Sequence, residues 1–342
     1  MKRIAIYCDL SKSSGFGHLN RMKSLSKELE KKGSKCYFLL CEQNKQDIIK
    51  YMSSFKAIFF SKKNKIKSIS NILLENNVQI LIIDSYENNL LLEKVLVGQN
   101  FFVVSIDDHL KKYNSNIVVT NRISEDHLIK KKPNQIWLTG SKYILVSKYD
   151  NFKKKFQNKA KTFKLLLHAG GSSSYKYIKN FTEATLEAAK VYNLDTTILC
   201  TTKESQFYIK KLLKKKSKIK KIKIVKFIKN LPQKVKNYHI VAGPMGTTTL
   251  ETILAGSFPF SVPIKNDGRD SLNSWRSIGH FAHLTNLEKK NKIILANMWN
   301  LIIENYDELL KKLKKRSKKL DGLGPKRLAE RIVFYYNIKK KK

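Results

Sequence analysis

Residues Arg3 to Arg21, RIAIYCDLSKSSGFGHLNR, give the pattern by which the rest of the chain can be read. Arg3 to Cys8 is a short, nearly continuous apolar run, as in a strand covered on both faces. Ser11 to His18 is polar and carries Gly15 and Gly17. From Leu19 to Lys32 the apolar residues recur at helical spacing. Strand, glycine loop and helix make the first half of a parallel βαβ unit.

Working outward, further strand-like runs occur at Lys35 to Leu40, Ala57 to Phe60, Val78 to Ile83, Phe101 to Ile106 and Ile117 to Thr120. An amphipathic stretch, Ile66 to Asn77, lies between them. The polar, lysine-rich segment Asn151 to Lys161 interrupts this pattern, which restarts at Phe163. Strands are then expected at Leu165 to His168, Thr196 to Cys200, Ile222 to Phe227, His239 to Ala242 and Phe258 to Val262, with helices at Phe181 to Tyr192 and Thr247 to Ala255. Two long helices, near Lys292 to Leu320 and Pro325 to Ile338, close the chain. At 342 residues the chain exceeds the size at which one core usually splits. The expectation is α/β, with two Rossmann-like domains over residues 1–150 and 160–342, the closing helices belonging to the second. Ligands of such domains sit at the carboxyl ends of the strands, here in a cleft between two facing domains.

Bulk properties exclude several classes. The chain is 42% hydrophobic, and no apolar run approaches the roughly 20 residues of a membrane span. Ile4 to Tyr7 is too short for a signal-peptide core, so a cytoplasmic protein is expected. Cys8, Cys36, Cys41 and Cys200 show no CxxC pairing and no clustered histidine, which reads as free thiols without a metal site. The formal charge of +41 suggests nucleic acid at first sight, but only eight of the 68 basic residues are arginine, the side chain suited to bidentate phosphate contacts. The lysines spread along the whole chain and read as solvated faces rather than a nucleic-acid surface. Their field would also give weak attraction to an anionic membrane or an acidic partner. A monomer is expected.

Three loops that follow strands carry candidate chemistry. In the first, Gly15 and Gly17 allow close backbone approach to a ligand at a helix start. His18 shares a helical stripe with Met22, Leu25 and Leu29. It is either a core histidine bonded to backbone or, at the top of the sheet, an acid or base kept neutral by the helix terminus. The second loop, Gly170-Gly171-Ser172, offers backbone N–H groups and hydroxyls to a pyrophosphate, or is an ordinary turn with a helix cap. The third, Ala242 to Glu251, joins a strand to a helix through Gly246, Thr247 and Thr248, again presenting N–H groups to an anion. Glu251 lies one turn beyond Thr247 on the same face. It can accept the two hydroxyls of a ribose, or it is a capping or solvated glutamate.

GFGHLNR (Gly15 to Arg21), Gly170 to Ser172 and AGPMGTTTLE (Ala242 to Glu251), in this order in two α/β halves, resemble the GT-B superfamily that includes MurG-type glycosyltransferases. Leu81 to Tyr86, Ser105 to Asp108 and Gly140 to Phe152 make the chain similar, over roughly residues 1–285, to the UDP-sugar hydrolases of pseudaminic acid biosynthesis. The resemblance implies a GT-B-like fold and metal-independent, cofactor-free hydrolysis of a UDP-2,4-diacetamido-2,4,6-trideoxyhexose with inversion. It implies that His18 is the base that activates water, that Tyr86 lines the sugar site, and that Glu251 holds the ribose. Thr247 and Thr248 would hold the diphosphate, Phe227 and Ile228 would flank the uracil, and Asn266 and Asp267 would read the sugar, with Asn273 as a competing match. The chain departs from the family at Ser172-Ser173, at the Asn266 to Asn273 loop and at Ser147-Lys148, which leaves the sugar open. A GT-B glycosyltransferase that uses a UDP-amino sugar and a hydroxyl or lipid-linked acceptor is the alternative, and a binding module without catalysis is the third.

Overall fold

The computed structural model describes residues 1–9, 17–42, 52, 55–108, 112–123, 132–147, 154–170, 175–215, 221–262, 272–283 and 292–341. They divide into two compact units, Met1–Ser147 with Gly322–Lys342, and Lys148–Asp321.

The first unit is built on a seven-stranded, all-parallel sheet: β1 (Lys2–Cys8), β2 (Ser34–Cys41), β3 (Ala57–Phe60), β4 (Ile80–Asp84), β5 (Phe102–Asp107), β6 (Ile117–Thr120) and β7 (Ile136–Leu138). Their order is β3-β2-β1-β4-β5-β6-β7. Helix α1 (Gly17–Glu30) follows β1, α2 (Lys65–Glu75) follows β3 and α3 (Leu90–Gly98) follows β4. Strand alternation divides the core by face. Ile4, Ile6, Ile80, Ile82 and Val104 pack with Met22, Leu25 and Leu29 of α1. Ala5, Tyr7, Leu81, Ile83 and Val103 pack on the other face with Ile69 and Leu73 of α2 and Leu92 and Leu96 of α3.

The second unit repeats the plan with six parallel strands in the order β10-β9-β8-β11-β12-β13. These are β8 (Phe163–His168), β9 (Leu194–Leu199), β10 (Ile222–Val225), β11 (Ile240–Pro244), β12 (Phe258–Val262) and β13 (Ala282–His283). Its helices are α4 (Tyr175–Ala188), α5 (Lys203–Lys215), the short α6 (Leu231–Lys234), α7 (Thr247–Ala255), α8 (Leu272–Ser277), α9 (Lys292–Glu304) and α10 (Tyr306–Arg316). The helix expected over Lys292 to Leu320 is two, because the chain breaks at Asn305, the N-cap of α10. β7 and β13 were not expected: three and two residues are too short to show periodicity.

The last helix, α11 (Gly324–Lys341), corrects the expected domain assignment, which placed both closing segments with the second domain. Its buried stripe, Leu328, Ala329 and Ile332, completes the core around α1 in the first unit. Amphipathic spacing fixes which face of a helix is buried but not which sheet covers it. A close backbone approach seats its start: a side chain on Gly324 would run into the Ile144 carbonyl. All four cysteines are free. Among the described residues no helix is long and apolar enough to cross a membrane.

Gly324→Ala is therefore expected to destabilise the protein by about 1–3 kcal/mol through overpacking. Urea unfolding checks this, and an unchanged midpoint would contradict the seating of α11 on the first unit.

Candidate functional site

In each unit the strand order reverses beside the first strand, between β1 and β4 and between β8 and β11. The chain leaves two such strands toward opposite faces, which opens a crevice at their carboxyl ends. The polar residues of both units gather at these two points.

In the first unit, pairing sets Cys8 opposite Asp84, the last residue of β4. α1 begins beside them, and its first turn turns His18 and Arg21 inward, leaving them 3% and 6% exposed. Arg21 Nε donates to Asp84 Oδ2 at 2.7 Å, Nη1 to Asp108 Oδ1 at 3.0 Å and Nη2 to Asp108 Oδ2 at 2.8 Å. Nη2 also pairs with Asp84 Oδ1. One guanidinium thus forks two buried carboxylates, one ending β4 and one following β5, the geometry for which arginine is suited. Burial by itself would raise Asp84, but the Arg21 charge and His18 outweigh it and hold the carboxyl below its ordinary range.

His18 Nδ1 lies 2.8 Å from Asp84 Oδ1. An ionised carboxylate only accepts, so Nδ1 carries the proton, and in the neutral tautomer the lone pair is then at Nε2. The 3.2 Å approach of Arg21 Nη2 to Nδ1 is then a contact between donors, since both Nη2 protons are engaged by the two carboxylates. Nε2 is buried and has no hydrogen-bond partner among the described residues. The ring of Tyr86, 38% exposed, meets His18 edge-on with centroids 4.4 Å apart. Asp9 fixes the turn that carries Tyr86, accepting from Ser85 Oγ at 2.9 Å and from the Tyr86 amide at 2.6 Å.

His18, Asp84 and Asp108 bring ligand-type atoms within 4.8 Å of one another, a spacing that would suit a metal ion. Arg21 already occupies the carboxylate oxygens and supplies the positive charge at that point. The donor set fits an ion-paired clamp better than a cation site.

In the second unit, Gly170 follows β8 with φ +71°, a backbone conformation that glycine adopts without strain. Gly246 precedes α7, and Gly246, Thr247 and Thr248 are half-buried. Thr249 is buried and ties the helix start down: its Oγ1 accepts from the Gly246 amide at 3.3 Å and lies 3.0 Å from Ser261 Oγ. Among the described residues the Thr247 and Thr248 amides donate to no backbone carbonyl, as the first turn of a helix dictates. Glu251, 8% exposed, has no hydrogen-bond partner among the described residues, and burial pushes its carboxyl up to about 8. Phe227, beyond the end of β10, is 73% exposed, whereas Ile228 packs on the core formed by Leu166, Val235 and Val241.

Of the residues expected from sequence, the structure brings His18 and Tyr86 together in one unit, and Gly170, Gly246, Thr247, Thr248 and Glu251 in the loops and helix start of the other. Gly17 opens α1. Gly15, Gly171, Ser172, Asn266 and Asp267 lie outside the described residues. Asn273 is exposed on α8. Sequence reasoning did not assign Arg21, Asp84 or Asp108. The available signal was an arginine one turn after His18 together with two strands that each end in aspartate.

No protein-family model matches the chain. It is 26% identical over 281 residues to the uncharacterized protein MJ1062 of Methanocaldococcus jannaschii; the match covers 78% of this chain but 56% of that relative, so the chain spans little more than half its length. Among solved structures it is similar to MurG of Acinetobacter baumannii (TM-score 0.71, 12% identity, 97% of this chain and 99% of that one). It is also similar to UDP-GlcNAc 2-epimerase of Neisseria meningitidis bound to UDP-GlcNAc (TM-score 0.68, 15% identity, 97% and 100% covered). A third similar structure is the calicheamicin glycosyltransferase CalG4 (TM-score 0.67, 10% identity, 98% of each chain). The fold is GT-B.

Arg21→Met is expected to cost about 3–5 kcal/mol at pH 7, because two buried carboxylates lose their counter-charge. In the wild type the Asp84 carboxyl is held low, so its contribution is present at neutral pH and fades as pH falls through the folded value. The variant's carboxylates protonate more readily, so the stability gap should narrow in acid. Urea unfolding at pH 7 and pH 4.5 reads both effects, and equal stability at pH 7 would contradict the clamp.

Proposed function

We propose that the protein binds a UDP-sugar and hydrolyses its glycosyl bond, the second unit taking the nucleotide and the first supplying the base. The observation that carries the reading is His18: a buried imidazole with Nδ1 tied to Asp84 and Nε2 left with a lone pair and no partner among the described residues. Such an arrangement suits proton acceptance, since the aspartate fixes the tautomer and stabilises the imidazolium that forms. The solved neighbours, among them an epimerase bound to UDP-GlcNAc, support a UDP-sugar as the substrate class.

A water molecule loses a proton to His18 Nε2 as its oxygen bonds to the anomeric carbon. The bond from that carbon to the β-phosphate oxygen breaks, and UDP leaves with the electron pair from the opposite face, so the configuration inverts. Open amides at the start of α7 suit the charge that develops on the leaving diphosphate. Tyr86, edge-on to His18, lines the sugar in this reading. The sugar proposed is a 2,4-diacetamido-2,4,6-trideoxyhexose, as the resemblance implies, made for nonulosonic acids of the pseudaminic type that decorate surface polysaccharide or flagellin.

Glu251 gives the nucleotide reading a pH signature. Its carboxyl sits near 8 without ligand and must ionise to accept two ribose hydroxyls, so UDP binding expels a proton. Affinity for UDP should therefore rise with pH, by roughly tenfold per unit below about 8, and level off above it. Glu251→Gln should bind UDP roughly 10-fold more weakly at pH 9 with a flattened profile. Calorimetry over pH 7 to 9 checks this, and a wild-type affinity that does not change across that span would remove Glu251 from the ribose.

His18→Ala should slow UDP release from the UDP-sugar by at least about 10²-fold while UDP binding changes little. Unchanged turnover would remove His18 as the base. UDP release that begins only when an acceptor hydroxyl or lipid extract is added would replace hydrolysis by glycosyl transfer.

A further inference from the structure

The lysines lie along the whole chain but crowd in one stretch. Twelve of the 27 residues from Lys203 to Lys229 are lysine and only Glu204 is acidic, nearly one lysine in two against fewer than one in five over the chain. The stretch takes in α5, which follows β9, and β10, the edge strand of the second sheet. Lysine on an edge strand, as at Lys223, keeps the open edge from pairing with another chain. That accounts for β10 and leaves the lysines of α5 without a reason.

α5 turns one side to its own unit, where Ser205 and Ile209 are 1% and 0% exposed. On the other side Lys203, Lys210, Lys211 and Lys214 are all exposed. Helical spacing sets Phe207 among them, one turn after Lys203, one before Lys210 and Lys211 and two before Lys214. It is 64% exposed, and Tyr208 beside it 41%. The two rings meet edge to face, with centroids 5.8 Å apart and planes at 78°.

An isolated apolar side chain on a surface is ordinary. A phenylalanine in the middle of a lysine face is the pattern of a helix lying in the headgroup layer of an anionic bilayer, where the ring leaves water and the ammonium groups meet lipid phosphates. α5 is 13 residues long and charged, so it would lie on a bilayer rather than span one. Two features favour lipid over nucleic acid. The stretch contains no arginine, the side chain suited to bidentate phosphate contacts. The rings also cross instead of offering parallel faces to successive bases.

We propose that the exposed face of α5 docks the protein on an anionic phospholipid surface, Phe207 entering the headgroup layer and Lys203, Lys211 and Lys214 meeting lipid phosphates. The proposal is independent of the reaction assigned to the two reversal points. Each lysine at such a surface strengthens attachment by about fivefold, and salt screens the attraction.

Sedimentation of the full chain with vesicles of phosphatidylcholine and phosphatidylserine in equal parts, and with vesicles of phosphatidylcholine alone, tests it. The protein should bind the first and not the second, and should leave the first in high salt. Because the whole chain is basic, variants of equal charge locate the contact. Lys203→Gln with Lys211→Gln and Lys214→Gln should weaken binding at least about tenfold, whereas Lys311→Gln with Lys315→Gln and Lys318→Gln, at exposed positions of the same unit, should change it by less than about twofold. Equal losses in the two variants, binding to neither vesicle, or binding that does not depend on phosphatidylserine overturns the proposal. In Phe207→Trp the added emission should shift to the blue with the mixed vesicles and be quenched by brominated lipid; emission that brominated lipid leaves unchanged overturns the insertion. Vesicle affinity that the α5 variant keeps, together with poly(U) affinity that it loses, assigns the face to RNA and overturns the proposal as well.

Discussion

The guanidinium of Arg21 between Asp84 and Asp108 is the interaction on which the first unit's polar site depends. Two carboxylates at the ends of adjacent strands, both almost without solvent, would repel and lift one another's pKa if left alone. The single charge between them holds the Asp84 carboxyl below its ordinary range and joins α1 to β4 and to the residue after β5. His18 inherits its orientation from this arrangement. Because Asp84 stays a carboxylate, Nδ1 must donate to it, and Nε2 is the ring nitrogen left without a partner among the described residues. The position of one proton on one ring thus follows from an ion pair three residues along the same helix.

The same fold treats its second reversal point differently. At the first unit's reversal point Arg21, Asp84, Asp108 and His18 Nδ1 pair with one another, and His18 Nε2 has no partner among the described residues. In the second, the amides of Thr247 and Thr248 donate to no backbone carbonyl among the described residues. Burial there pushes the Glu251 carboxyl up to about 8. Under the proposed hydrolysis, the first unit's acceptor takes the proton and the second unit's donors meet the diphosphate. The division of labour follows from which groups each unit leaves unpaired.

Much of this was legible in the sequence because it depends on local periodicity. β3, β6, β12 and helix α7 fall where apolar runs and spacing put them, and the other expected strands differ by one or two residues at an end. His18 sits on the buried stripe that Met22, Leu25 and Leu29 define. What was not legible depends on pairing across the sheet. Nothing in the spacing of Arg21, Asp84 and Asp108 says that two strand ends and a helix turn will meet. Strand order brings them together, and it is set by long-range packing. The partner of α11 was hidden for the same reason: Leu328, Ala329 and Ile332 mark a buried face but not the sheet that buries it.

The account's central claim is that water, activated by His18, takes the place of UDP on the anomeric carbon. Product analysis by NMR and mass spectrometry after incubating a UDP-2,4-diacetamido-2,4,6-trideoxyhexose in ¹⁸O-water tests it most directly. The account predicts a free sugar labelled at the anomeric oxygen, formed first in the inverted configuration, with unlabelled UDP. Label in the UDP phosphate, or a product that retains the starting configuration, would contradict it.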